Sequence, residues 1–169
     1  MRVLVACEYS GTVRDAFIAQ GHDAMSCDLL PTDTPGPHYQ GSALDILGDG
    51  WDLLIAHPPC TYLTNSGVRW LHSDPTRWAK LDEACAFFAQ LLDADIPRIC
   101  VENPIPHKYA LERIDGRKYT QIIQPWQFGH GETKATCLWL KGLAELEPTD
   151  IVDGREQRIW KLPPSADRW

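Results

Sequence analysis

The stretch MRVLVACEYSGTVRDAFIAQGHDAMSCD, residues 1–28, decides the fold. Arg2-Val-Leu-Val-Ala6 is a short unbroken apolar run, the pattern of a parallel strand covered on both faces. Gly11 then punctuates the chain, and Val13, Phe17 and Ile18 recur at helical spacing until Gly21 marks a helix end. Asp23 to Cys27 reads as a second strand, closing at Asp28. Strand, glycine turn, helix and strand in this order predict a β-α-β unit.

The pattern continues outward. Pro31, Pro35, Gly36, Pro37 and Gly41 predict a loop over residues 31–41. Ala43 to Leu47 reads as a short edge element, and Asp52 to Ala56 as a strand. Asn65 to Arg77 reads as a loop or broken helix. In Trp78 to Leu92 a helix is predicted, because Leu81, Ala84, Cys85, Phe88, Leu91 and Leu92 share one face. Arg98 to Val101 is a fourth strand, ending at Glu102-Asn103-Pro104. Tyr119 to Trp126 and Ala135 to Leu140 are two further strands, expected as an antiparallel edge and joined by the glycine-rich loop 128–132. The whole predicts an α/β fold, Rossmann-like, with a mainly parallel sheet and helices on both faces. We expect a single domain over residues 1–169 with a basic tail from about Arg155, where Arg158, Lys161 and Arg168 follow.

The chain has 169 residues, 44% hydrophobic and 23% charged, ordinary values for a globular protein. No apolar run approaches a membrane span. The first residues read as a strand rather than a signal peptide, so a cytoplasmic protein with no membrane partner is expected. Cys7, Cys27, Cys60, Cys85, Cys100 and Cys137 are scattered, which suits free thiols and excludes zinc spacing, so no metal is expected. The net charge of −7 argues against a broad, non-specific duplex-binding surface.

In an open parallel sheet, ligands bind at the carboxyl ends of the strands. Here those ends carry Glu8-Tyr-Ser-Gly11, Asp28, His57-Pro-Pro-Cys60 and Glu102-Asn-Pro104. The first turn suits a polar part of a nucleotide cofactor, and an acid at the second strand end suits a ribose diol; a plain turn and a solvated Asp fit the same residues. Two prolines before Cys60 stiffen its mounting, as a nucleophile needs, although a packed cysteine in a turn has the same sequence. Glu102, at the end of an apolar strand, can relay a proton, or serve as a turn carboxylate.

Pro-Pro-Cys60 at one strand end and Glu102-Asn103 at the next, in that order and after a glycine turn and an acidic strand end, resemble the cytosine-C5 DNA methyltransferases, over about Met1 to Pro104. The resemblance implies a compact, phage-like member of that family with S-adenosyl-L-methionine as methyl donor, active in a bacterial host or phage-infected cell. It implies that Cys60 adds to C6 of cytosine, that Glu102 holds the N3 edge of the ring, and that Asn103 fixes the loop. It places Glu8, Ser10, Gly11, Asp28 and Pro58 at the cofactor, with Asp45 standing in where many members have Gly-Asp at Gly41-Ser42. Thr61 occupies the place of the usual Gln, and Lys134 or Arg155-Glu-Gln-Arg158 replaces an absent Gln-x-Arg-x-Arg motif.

The family reads DNA with a separate recognition domain, for which the chain after Pro104 is too short. Two loops are candidates to replace it: residues 61–78, with Tyr62, Arg69, Trp70 and Arg77, and residues 124–132, with Trp126, Phe128 and His130. Aromatics beside arginine can clamp a base; the same tryptophans can pack a core or a homodimer interface. Three functions are therefore carried forward: methyl transfer to cytosine in duplex DNA, the same chemistry on a nucleotide or single strand, and a catalytically silent cofactor- or DNA-binding module.

Overall fold

The computed structural model describes residues 1–156. Seven strands form one sheet in the order β3-β2-β1-β4-β5-β7-β6. They are β1 (Arg2–Ala6), β2 (Asp23–Asp28), β3 (His38–Gln40), β4 (Leu53–Ala56), β5 (Arg98–Pro104), β6 (Gln121–Ile123) and β7 (Thr136–Lys141). β1 to β5 are parallel; β7 runs antiparallel to β5, and β6 antiparallel to β7. The helices are α1 (Thr12–Ala19), α2 (Trp70–Ser73), α3 (Thr76–Leu92) and α4 (Lys108–Arg113).

Alternation along the strands sorts the core onto two faces. Leu4, Ala6, Leu54, Ala56, Ile99 and Val101 meet Leu81, Cys85 and Phe88 of α3, with Ala110 of α4 behind them. Val3, Val5, Ala24 and Leu53 face the other way, onto Val13 and Phe17 of α1. Burial on both sides is why β1 and β4 read as unbroken apolar runs.

The sequence reading of residues 31–41 as a loop is corrected at its end. His38–Gln40 pairs in parallel with Ser26–Asp28 and forms the sheet edge, a strand too short and polar to announce itself by periodicity. Within the short element expected over Ala43 to Leu47, residues 43–45 form a 3₁₀ turn, with Ser42 Oγ accepting from Leu44 N at 3.3 Å. The strand expected over 119–126 shrinks to Gln121–Ile123 because a 3₁₀ turn begins at Pro125. α4, a single polar-sided helix, carried no clear sequence signal. The basic tail lies, beyond Glu156, outside the described residues.

α1 starts at a crowded turn. Gly11 has φ +75°, and a Cβ there would lie 2.2 Å from Thr34 Oγ1 and 2.4 Å from Arg14 Nη2. Gly11→Ala therefore adds strain from the left-handed backbone to a clash with a fixed side chain, and is expected to cost about 1–3 kcal/mol, read by urea denaturation.

Candidate functional site

Strand order reverses between β1 and β4, because β2 and β3 add to one side of β1 and β4 and β5 to the other. At that switch point, where open sheets bind ligands, a cleft of about 320 Å³ opens beyond the strand ends. Cys7 after β1, Cys27 and Asp28 from β2, Gly41 to Ala43 after β3, Pro59 after β4 and Phe87 from α3 form its walls. Among the described residues, the lining holds Asp28 and no lysine or arginine. The acid is felt inside: burial first, then the Asp28 carboxylate, pushes the Cys7 thiol up to about 12 and Cys27 to about 11. Asp45 adds to the charge felt at Cys27, while its Oδ2 accepts from the Tyr39 hydroxyl at 3.2 Å.

Three of the residues expected at the cofactor make contacts within the protein that hold α1. Glu8 is buried, and its carboxylate caps α1, accepting from Val13 N at 2.6 Å and Arg14 N at 3.2 Å. Ser10 Oγ donates to the same carboxylate at 3.3 Å. Gly11 packs against Arg14 and Thr34 rather than the cleft. At the other end of the cleft, Pro59 rather than Pro58 forms the wall. Pro58 is buried, and its carbonyl accepts from Asn103 Nδ2 at 3.1 Å.

That hydrogen bond joins the two motifs. Asn103, 1% exposed at the end of β5, ties the Pro-Pro-Cys turn to the neighbouring strand. The turn is pinned further by the segment after β5: His107 N donates to the Leu63 carbonyl at 2.9 Å, and Asn65 N to that of Ile105 at 3.3 Å. His107 Nδ1 accepts from Ala110 N at 3.0 Å, so its Nε2 carries the proton that meets the Tyr62 carbonyl at 2.8 Å.

Cys60 is half-buried, and its thiol is held above its ordinary range, chiefly by burial and then by the Glu102 carboxylate; Lys134 acts in the opposite direction. Cys60, Glu102 and Lys134 thus share one electrostatic neighbourhood. Arg69, on the loop after Cys60, lies 4.5 Å over the ring of its neighbour Trp70. Glu102 Oε2 meets His57 Nδ1 at 3.5 Å. His57 stands in the sequence within His-Pro-Pro-Cys, and its contact with Glu102 follows from the β4–β5 register.

The candidate recognition loops divide. Trp70 is 49% exposed, Arg77 lies 4.6 Å over Tyr62, and Arg155 lies 3.8 Å over Trp126. Trp78, by contrast, packs edge-on to Tyr109 and His72, and Trp51 and Trp139 are core. Thr61, half-buried beside Cys60, sets its carbonyl against Gly67, where a Cβ would approach to 2.7 Å.

His107 gives the site loop a pH dependence. Burial lowers its pKa from the ordinary 6.5. The unfolded chain therefore takes up the proton first, and stability falls as pH drops through 6.5 toward the lower folded value. We expect the melting temperature of wild type to fall more steeply over that window than that of His107→Asn, which keeps a helix-capping side chain and does not titrate.

No protein-family model matches the chain, and no curated protein matches it. Solved structures do. A prophage-encoded protein of E. coli assigned as a DNA modification methyltransferase aligns with 98% of this chain at 15% identity and TM-score 0.52. A methyltransferase of Entamoeba histolytica aligns with 90% at 12% identity and TM-score 0.53. The fold is shared with these methyltransferases. The chain spans about half the length of each, 49% and 57% respectively. Among the described residues, no helix is long and apolar enough to cross a membrane.

Proposed function

We propose that the chain transfers a methyl group from S-adenosyl-L-methionine to C5 of cytosine in DNA, through a covalent adduct on Cys60. The observation that carries this reading is the placement of Cys60 and Glu102 in one electrostatic neighbourhood, with Asn103 bonding the two motifs together and Pro59 forming the wall toward the cleft.

The cleft suits the donor. Asp28 matches a ribose diol, Phe87, Ala43 and Leu29 offer apolar surface to a purine, and an acidic lining without cations favours a sulfonium. Glu8, Ser10 and Gly11 support the cleft from behind by fixing α1. When bound, S-adenosyl-L-methionine supplies an electrophilic methyl group on a sulfonium.

The chain's own residues do the rest. Cytosine C5 is a poor nucleophile until charge is pushed into the ring. Cys60 sulfur forms a bond to C6, and the N3 edge gains a proton, so that C5 carries the electron density. The thiol proton lost at Cys60 equals the proton gained at N3, and Glu102 is placed to pass it. After C5 has taken the methyl group, loss of the C5 proton to base, breaking of the S–C6 bond and return of the N3 proton to the departing sulfur restore the aromatic ring and the cysteine thiol. The two prolines hold the Cys60 turn, and Asn103 removes its remaining freedom.

For DNA, the base must leave the stack. Trp70 with Arg69, Tyr62 with Arg77, and Trp126 with Arg155 are stacking platforms on loops flanking Cys60 and Lys134. The test offers methyl-labelled S-adenosyl-L-methionine with duplex DNA, single-stranded DNA and dCMP in parallel. Label on duplex DNA supports the reading; label only on the smaller substrates moves it to the same chemistry there. Cofactor binding without transfer leaves a silent binding module, and no cofactor binding overturns the donor.

A further inference from the structure

We propose that His57 is a positioning residue for Glu102, holding one carboxylate oxygen from behind so that the other is free to exchange a proton with the pyrimidine ring. This rests on the methyl-transfer reading of the site.

The placement follows from the sheet. β4 and β5 pair in parallel with Ala56 opposite Val101, so the next residues, His57 and Glu102, are lateral neighbours on one face. That face is opposite to the one on which Ala56 and Val101 join the α3 core. His57 Nδ1 and Glu102 Oε2 are 3.5 Å apart, an ion-pair separation that a small torsion shortens to a hydrogen bond; such bonds commonly tighten when substrate binds. The side chains are 33% and 23% exposed, and pairs this accessible stabilise a fold little. Orientation is what the contact provides.

The other ring nitrogen sets the tautomer. Nε2 is buried and, among the described residues, has no hydrogen-bond partner. A buried N–H without an acceptor costs more than a bare ring nitrogen, which is the weaker demand of the two. The proton therefore belongs on Nδ1, where it points at Glu102 Oε2. Histidine suits this place better than a lysine or arginine. A permanent cation would lock Glu102 as a carboxylate, whereas an Nδ1–H donor steadies one oxygen and leaves the other able to accept the proton from Cys60 and give it to N3. No atom is gained or lost at His57 in this cycle.

The titratable groups around Glu102 come from every neighbouring element. Cys60 lies on the turn after β4, Cys100 on β5 and Cys137 on β7, and all three thiols feel its charge. Lys134, before β7, acts on Cys60. Among these described groups, His57 is the one in ion-pair contact with the Glu102 carboxylate.

Two measurements test the proposal. The first needs no activity: ¹⁵N NMR of the histidine rings of the full chain without added ligand, with His57 assigned by its loss in His57→Asn. We expect the Nδ1–H tautomer, shifting toward Nε2–H in Glu102→Gln. An Nε2–H tautomer in wild type, or a ring indifferent to Glu102→Gln, would overturn the proposal. The second is methyl transfer. His57→Ala is expected to lower kcat roughly 10- to 100-fold with the cofactor KM unchanged, and His57→Asn, whose side-chain N–H replaces Nδ1–H, to recover most of it. Asn no better than Ala, or Ala equal to wild type, contradicts a donor role. If wild type labels no substrate, the methyl-transfer reading fails on its own while the NMR result still decides the pair.

Discussion

Cys60→Ala is expected to lower methyl transfer by roughly a thousandfold or more, while cofactor affinity changes by no more than about twofold. The split follows from the geometry. In the proposed reaction Cys60 supplies the bond that makes C5 nucleophilic, and no other described residue is assigned that role. The cleft wall is formed by Pro59, not Cys60, so truncating the thiol leaves the lining intact. Titration calorimetry with the cofactor and a single-turnover label assay measure the two quantities separately. An equal loss in both would mean that the variant had disturbed the loop rather than the chemistry.

The second large effect is on stability. Arg14→Met is expected to cost about 3 kcal/mol, a fall of roughly 6–12 °C in Tm for a chain of this length. Arg14 is 0% exposed, the largest fully buried side chain described. Its Nη1 donates to Ser26 Oγ at 3.1 Å and Thr32 Oγ1 at 3.3 Å. Its Nη2 donates to Thr34 Oγ1 at 2.8 Å and to the carbonyls of Thr34 and Pro35. Nε meets Asp15, which holds that carboxyl below its usual range. Methionine fills most of the volume but removes all of these donors from their acceptors and frees the loop over 32–35. Asp15 is partly exposed, so the lost ion pair contributes little of the cost. Thermal and urea denaturation measure it.

Arg14 also shows where sequence reading stops. An arginine on a short amphipathic helix reads as a solvated charge, and its burial depends on a loop arriving from residues 32–35. The β-α-β opening was legible because Val3, Val5 and Leu4 must all be covered, and the strand ends followed from it. Pro-Pro-Cys60 and Glu102-Asn103 were legible as motifs. Asn103 proved to bind the carbonyl of Pro58, a contact that requires the register of β4 against β5. The Glu8-Tyr-Ser-Gly11 turn shows a contact the sequence does not reveal: a carboxylate near a helix start can serve a ligand or the helix itself, and here Glu8 reaches its own α1 N–H groups. His38–Gln40 was hidden by the prolines before it, and the contact of His57 with Glu102 by its dependence on the β4–β5 register.

The proposed methyl transfer passes through a covalent bond between Cys60 and the cytosine ring, and a substrate that cannot complete the cycle tests it most directly. With fluorine in place of hydrogen at C5, the proton whose loss releases the cysteine is missing, and the adduct accumulates. Incubation of the chain with S-adenosyl-L-methionine and duplex DNA carrying 5-fluorocytosine, followed by denaturing mass spectrometry and peptide mapping, is predicted to give a complex crosslinked at Cys60 that Cys60→Ala does not form. Label transfer to ordinary cytosine with no trapped complex, or a crosslink mapped to another residue, would contradict it.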